Sequence, residues 1–207
     1  MNKEDIKAFS QIPQPPHESM AFIDDLKKPL SYHFAKGTGC PAGEAQDCMK
    51  DGVELQIGFP DSNGSLDTAF LSLRRVLNAK GVAEKAGTYP IHFLFDASLG
   101  QEEYSVAVRA DFCTVKAADV DGMRRGIYFL EDRICEAEGP SATAGEWKRR
   151  PFVKHRISRC FFGPTYRPPF FIDELTNDIN YYPDEYLNKL AHEGINGLWL
   201  TMYFRDL

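Results

Sequence analysis

EYSVAVRADFCTVKAADVDGMRRGIYFLEDRI, the stretch from Glu103 to Ile134, reads as strand, turn, strand and helix in that order. Tyr104, Val106 and Val108 alternate with Ser105, Ala107 and Arg109, the period of two that gives a strand one buried face. Ala110-Asp111 supplies a short turn. Cys113, Val115 and Ala117 then share a face opposite Thr114 and Lys116, and Asp119 or Asp121 is placed to cap the helix that follows. Along that helix Met123, Ile127, Leu130 and Ile134 recur at helical spacing, an apolar stripe whose nearest support is the hairpin just before it. Gly122 and Gly126 sit beside the stripe. Glycine inside a helix costs about 0.5–1 kcal/mol relative to alanine, so close approach of the helix backbone to the sheet is the expected compensation.

Upstream, Val53, Leu55 and Ile57 alternate with Glu54 and Gln56, a strand that ends at Gly58 and Pro60 before a turn through Asp61 to Gly64. Ser65 is the expected cap of the next helix, Asp67 complements its positive end, and Leu66, Phe70, Leu73 and Leu77 form its buried stripe up to Gly81. Ile91, Phe93 and Phe95 mark another strand. His92 faces away from their row and reads as a structural or surface histidine, because no second ligand stands at metal-binding spacing. Residues 51–139 are therefore expected to form an α+β domain, a mainly antiparallel sheet with two helices on one face. Residues 1–50 are broken by Pro13, Pro15, Pro16, Pro29 and Pro41 and read as an irregular arm with short helices at Ile6–Phe9 and Met20–Leu26. The small, polar run SATAGEW after Gly139-Pro140 has linker composition, giving a linker over 140–151.

Across 207 residues the chain is 43% hydrophobic and 26% charged, in the range of globular proteins, and no apolar run approaches the ~20 residues of a membrane span. A net charge of −6 argues against a nucleic-acid partner, which needs a concentrated basic surface. The basic run Lys148, Arg149, Arg150, Lys154, His155, Arg156 and Arg159 reads as linker and sheet-edge charge. The five cysteines lack C-x-x-C spacing and read as thiols, although Cys40 and Cys48 in GTGCPAGEAQDC are close enough in sequence for a local disulfide, or for a metal site with His33, Glu44 or Asp47. Neither a metal nor a cofactor is expected. MNKEDIKAFSQIPQ lacks the basic and apolar regions of a secretory signal. The address is thus expected to be cytoplasmic if Met1 is the native start, and exported if a signal has been removed.

From Phe152 the pattern changes. FVKHRISRCFF reads as a strand, YRPPFF as a proline-rich loop, and PDEYLNKLAHEG as a helix with Pro183 at its first turn and Gly194 at its end. Tyr186, Leu187, Leu190 and Ala191 point to its core, and LWLTMYF, nearly continuous in apolar residues, reads as a strand covered on both faces. His192-Glu193 does not extend to H-E-x-x-H, because position 196 is Asn.

The run D-x-x-G-x-x-x-G-x-x-x-L after a hairpin ending V-K-A-A-D resembles the non-catalytic domain that precedes the barrel in family-twenty glycoside hydrolases, the β-N-acetylhexosaminidases. Similar domains precede the barrels of α-glucuronidases. Residues 152–207 resemble the first βαβ unit of such a glycosidase barrel, a partial TIM-barrel-type unit. The resemblance implies that Arg156 stands where the family carries an arginine that grips sugar hydroxyls. Read from its place in the strand, Arg156 is equally a strand-end arginine paired with a carboxylate. Tyr166, in the loop after the strand, and Asp206, just past the second strand, are the further candidates for substrate binding.

A complete barrel needs ~250 residues, whereas 152–207 suffice for two strands and a helix. Glycosidic cleavage needs two carboxyl groups about the bond, or one with the substrate's own acetamide, and the resemblance puts the family's Asp-Glu pair after a later strand. No catalytic residue is assigned. The expected role is a structural, non-catalytic amino-terminal portion of a glycoside hydrolase, with carbohydrate bound through the complete barrel and self-association through open strand edges. The competing class is a stand-alone carbohydrate-binding or protein-interaction module that uses Phe161, Phe162, Tyr166, Phe170 and Phe171. A third is one compact enzyme in which Arg156, Glu174 and Asp206 meet.

Overall fold

The computed structural model describes residues 21–33, 48–158, 165–167, 170–172 and 180–200. The chain divides into two compact units, Ser31–Lys154 on its own and Met1–Leu30 together with His155–Leu207. In the second of these, the short helix α1 spans Ala21–Leu26, within the Met20–Leu26 expectation. The Ile6–Phe9 expectation lies outside the described residues.

The unit Ser31–Lys154 runs β1 (Val53–Ile57), α2 (Asp67–Ala79), β2 (Tyr89–Phe95), β3 (Tyr104–Val108), β4 (Cys113–Ala117), α3 (Val120–Glu136) and β5 (Gly145–Arg149). Its five strands form one sheet in the order β1-β2-β4-β3-β5. The expected mainly antiparallel sheet is corrected to a mixed one: β1/β2 and β2/β4 are parallel, β3/β4 and β3/β5 antiparallel. The cause is connectivity. The crossover through α2 returns the chain to the end where it began, so β2 runs alongside β1. The β3-β4 hairpin then lays its second strand, not its first, beside β2.

The linker expectation is also corrected at Gly145–Arg149, which adds β5 outside β3 with Trp147 opposite Val106. Small, polar residues suggested a linker, but Trp147 turns its ring edge-on to Phe129 of α3 and anchors the strand. Ahead of it, Thr143 N–H donates to the Arg133 carbonyl at 2.9 Å.

One register row crosses the whole sheet: Ile57, Phe93, Val115, Val106 and Trp147. Both long helices lie on this face, because Phe70 of α2 meets Phe93 edge-on and Gly126 of α3 sits over Val115. They also pack on each other. All four residues of the α3 stripe, Met123, Ile127, Leu130 and Ile134, are fully buried, as are Leu66, Leu73 and Val76. Each such side chain contributes roughly 1.5–3 kcal/mol of burial before chain entropy is counted.

The caps differ from one helix to the other. At α3 the choice falls on Asp119, whose Oδ1 accepts the Gly122 N–H at 2.6 Å while Oδ2 accepts the Glu102 N–H at 2.8 Å. Asp121 pairs instead with Arg124. Glu102 has φ of 54°, a left-handed conformation rare outside glycine, and the Asp119 carboxylate holds it there. At α2 the expected Ser65 cap is absent. The N-cap position is Leu66, and Asp61 reaches across the turn to accept the Ser65 and Leu66 N–H groups at 3.0 and 2.8 Å. Lys80, just after α2, donates to the carbonyls of Ile134 and Ala137 at 2.8 and 2.5 Å, so one helix supplies the C-terminal cap of the other. Replacement of Asp119 by alanine removes a cap and the anchor of Glu102 together, with an expected loss of about 1–2 kcal/mol read from the urea midpoint. An unchanged midpoint would contradict this assignment.

In the other unit, β6 (Ile157–Ser158), β7 (Thr165–Arg167), β8 (Phe170–Ile172), α4 (Asp184–His192) and β9 (Gly197–Leu198) follow in sequence. β6 and β9 are parallel and flank α4 in the chain, a βαβ unit. The expected YRPPFF loop is corrected: β7 and β8 pair antiparallel, with Tyr166 opposite Phe171. The strand expected from Phe152 is confined, among the described residues, to Ile157–Ser158, and Phe152 is fully exposed. Pro183 is the N-cap of α4 and Gly194 follows its end with φ of 81°. Of the four residues expected to face the core, Leu190 is buried and Leu187 is 37% exposed. Of LWLTMYF, Leu198 closes β9 and the other described residues, Trp199 and Leu200, are 61% and 48% exposed rather than covered on both faces, while the remainder lies outside the described residues. Among the described residues the β6/β9 ladder pairs only Gly197 and Leu198, and Trp199 lies beyond it.

Candidate functional site

Arg156 stands immediately before β6, at the amino end of that strand. Its Nε donates to the Gly194 carbonyl at 2.5 Å, just past α4, and its backbone N–H donates to Asn196 Oδ1 at 2.9 Å. Asn196 N–H returns a bond to the Arg156 carbonyl at 3.0 Å. Arginine, helix end and β9 are thus tied into one knot, with the cation where the helix dipole is negative. The partner of the guanidinium Nε is a helix-end carbonyl. Ligand sites of parallel β/α units gather at the opposite, carboxyl ends of the strands. At that end stand Ser158, whose carbonyl accepts the Trp199 N–H at 3.0 Å, and the exposed Trp199 and Leu200. Tyr166 is placed only by the backbone of β7, and Asp206 lies outside the described residues, as do Phe161, Phe162 and Glu174. The described residues therefore bring none of the three substrate candidates together.

A second cluster lies on the helix face of the sheet at the β5 edge. Tyr104 of β3, Phe129 of α3 and Trp147 of β5 make one aromatic group, with ring centroids 5.8 Å apart for Tyr104–Phe129 and 5.4 Å for Phe129–Trp147. The guanidinium carbons of Arg133 and Arg149 lie 4.8 and 4.6 Å from the Phe129 centroid, and that of Arg133 lies 5.6 Å from Trp147. Such contacts occur about once per 70–80 residues, so three on one aromatic group mark a concentration of charge. Burial raises the pKa of the Tyr104 hydroxyl, while Arg125, Arg149 and Arg133 oppose that rise. The basic run was legible in the sequence as sheet-edge charge. The stack was not, although two signals existed: Trp147 and Arg149 share a strand face, and Phe129 and Arg133 lie one helical turn apart.

Between α2 and α3 a buried polar group joins Ser72 and Glu131, with the Ser72 hydroxyl donating to Glu131 Oε2 at 3.3 Å. Burial raises the pKa of Tyr32, which also hydrogen-bonds Ser72. Glu131 is 3% exposed and enclosed by the helices, a packing position rather than a site open to substrate. Burial likewise pushes the Cys113 thiol well up and that of Cys135 to about 11, so both are protonated at neutral pH and poor nucleophiles. Cys40 lies outside the described residues. His92 pairs with Gln56 and Thr114 on the face away from the helices. Among the described residues no group of three His, Cys, Asp or Glu is arranged to hold a metal ion, and no helix is long and apolar enough to cross a membrane.

No protein-family model and no curated protein sequence matches the chain. Solved structures do share its fold, and glycoside hydrolases are among them. A GH138 enzyme targeting pectin rhamnogalacturonan II superposes over 71% of this chain and 23% of its own, at 16% identity and a TM-score of 0.55. A family GH115 4-O-methyl-α-glucuronidase with specificity for decorated arabinogalactans matches over 72% and 25%, at 15% identity and 0.51. A GH20 exo-β-N-acetylglucosaminidase from Vibrio harveyi, as an inactive mutant, matches over 71% and 21%, at 16% identity and 0.50. At these identities the likeness is one of fold, and the chain spans about a quarter of the length of the structures it matches.

Proposed function

We propose that this chain is the amino-terminal, non-catalytic portion of a carbohydrate-active glycoside hydrolase, a scaffold against which a β/α barrel is built. The observation that carries the reading is the order of parts. A mixed sheet roofed by a glycine-bearing helix is followed in the chain by a parallel strand-helix-strand unit. The fold likeness to glycoside hydrolases of three families supports the same reading. Within it, Arg156, Tyr166 and Asp206 remain the proposed sugar contacts. Arg156 then acts chiefly by anchoring β6 to the end of α4, since its Nε is engaged there.

Rigorously purified chain is expected to fold and to leave aryl β-N-acetylhexosaminides uncleaved. Release of the aryl group above background would overturn the non-catalytic assignment. The coding sequence after codon 207 is the complementary test. Six or more further strand-helix units with an Asp-Glu pair at a strand end are expected, and a stop codon there would refute the barrel reading. Edges of β6 and β9 that are unpaired among the described residues are proposed to favour self-association of the isolated chain. A strictly monomeric light-scattering profile across micromolar concentrations would contradict that.

A further inference from the structure

We propose that the free edge of β1 pairs antiparallel with β1 of a second copy of this chain, about a twofold axis at Gln56, joining two five-stranded sheets into one. β1 closes one side of the sheet, and the backbone groups of successive residues point to opposite sides of a strand. Val53 points outward: its N–H donates to the Ala83 carbonyl at 2.9 Å, and its carbonyl accepts the Lys85 N–H at 2.7 Å. Gly58 points inward, donating to the Phe93 carbonyl at 2.9 Å. By alternation Leu55 and Ile57 turn their N–H and C=O groups outward, and among the described residues these four groups have no partner. Protein edges of this kind are usually blunted by charge or proline. The one charged residue of β1 is Glu54, and its carboxylate is occupied by the Gly87 N–H at 3.0 Å.

The neighbours of this edge select both the register and the partner. Val53 is already bonded, and Phe59 turns into the core against Phe95, so the edge is free from Leu55 to Ile57 only. Centred on Gln56, two copies oppose Leu55 to Ile57 and Ile57 to Leu55, which satisfies all the free groups with four hydrogen bonds. Sliding one strand by two residues either way would set a free residue against Val53 or Phe59. The side chains match in the same register. On the helix side Leu55 of one copy meets Ile57 of the other, a residue 48% exposed in the single chain. On the opposite side the two exposed Gln56 amides meet at the axis, where each has a donor and an acceptor for the other. Glu54 falls opposite Gly58, so no like charges are brought together. The match of the strand to itself is what makes a second copy the occupant, and it stands whether or not a longer chain builds a barrel.

In this register position 56 faces itself as a non-hydrogen-bonded pair, with Cα atoms about 4.5 Å apart, within reach of a disulfide. Gln56→Cys in the full chain, oxidised with copper phenanthroline at micromolar concentration, is therefore expected to give a covalent dimer that dithiothreitol releases. The parent, with its native cysteines alone, sets the background. Glu146→Cys is likewise exposed but lies on β5 at the other edge of the sheet. Its yield should be at least about tenfold lower, because those thiols meet by collision at micromolar rather than millimolar effective concentration. Adding Ile57→Lys to Gln56→Cys places a charge on the edge and should lower the dimer yield about tenfold. Equal yields at positions 56 and 146, an undiminished yield with Ile57→Lys, or no dimer above the parent would each overturn the proposal. Association through β6 and β9 alone would favour neither cysteine, so the two proposals fail separately. Gln56 and Ile57 are exposed, and all variants are expected to unfold at the temperature of the parent.

Discussion

Phe93→Ala is expected to destabilise the Ser31–Lys154 unit by about 3–5 kcal/mol, a large part of the ~5–15 kcal/mol that holds a typical domain folded. Phe93 is fully buried in the row that crosses the sheet, between Ile57 and Val115. Its ring meets that of Phe70 at 90° with centroids 4.9 Å apart, an edge-to-face contact worth roughly 0.5–1.5 kcal/mol beyond the area buried. Truncation removes the transfer energy of the ring and leaves a cavity between α2 and the sheet, which collapses only in part. Phe95 provides the internal comparison. It follows in the same strand but is 52% exposed, and Phe95→Ala should stay within about 0.5 kcal/mol of the parent. Urea unfolding of the two variants distinguishes the sites, and similar midpoints would mean that the core is not centred on Phe93.

Gly122→Ala and Gly126→Ala are each expected to destabilise by about 1–3 kcal/mol, the usual cost of overpacking a filled site. In an open helix the same change would stabilise by up to ~1 kcal/mol, so the sign itself reports the packing. A Cβ at position 122 would fall 2.6 Å from the Glu103 carbonyl oxygen, and one at position 126 would fall 2.6 Å from Val115 Cγ1. The two obstacles differ in kind. Val115→Ala should rescue part of the Gly126→Ala loss, because it removes the methyl group in the way. It should not rescue Gly122→Ala, where the obstacle is backbone. A double-mutant cycle measures the difference, and additive losses at 115 and 126 would show that helix and sheet do not touch there.

The glycines also mark how far local pattern carries. Their place beside an apolar stripe predicted close approach of α3 to the hairpin, and the structure supplies it through Glu103, Val115 and Tyr104. Asp119 and Asp121 could not be separated by sequence, since both precede the stripe by a capping distance. The choice depended on Glu102, whose N–H needs the second carboxylate oxygen. Ser65 failed as a cap because Asp61, four residues earlier, was better placed by the intervening turn. Trp147 inside a small, polar segment looked like linker until β3 offered it an edge to pair with. The site was less legible than the fold. Arg156 was singled out, but its bond to Gly194 joins residues far apart in the chain and no spacing rule announces it.

The sequence by itself determined the elements and most of their buried faces: the alternation in β3 and β4, the stripes of α2 and α3, and the glycines that seat α3. These are local periodicities of two and 3.6 residues, written within each segment. Tertiary structure alone decided the strand order, the mixed sheet, the recruitment of Gly145–Arg149 as an edge strand, and the Arg133–Phe129–Trp147–Arg149 stack. Each of these is a pairing between distant segments. Such a choice is made by which unpaired edge and which apolar face remain to be covered once the local elements exist, and no segment carries that information alone.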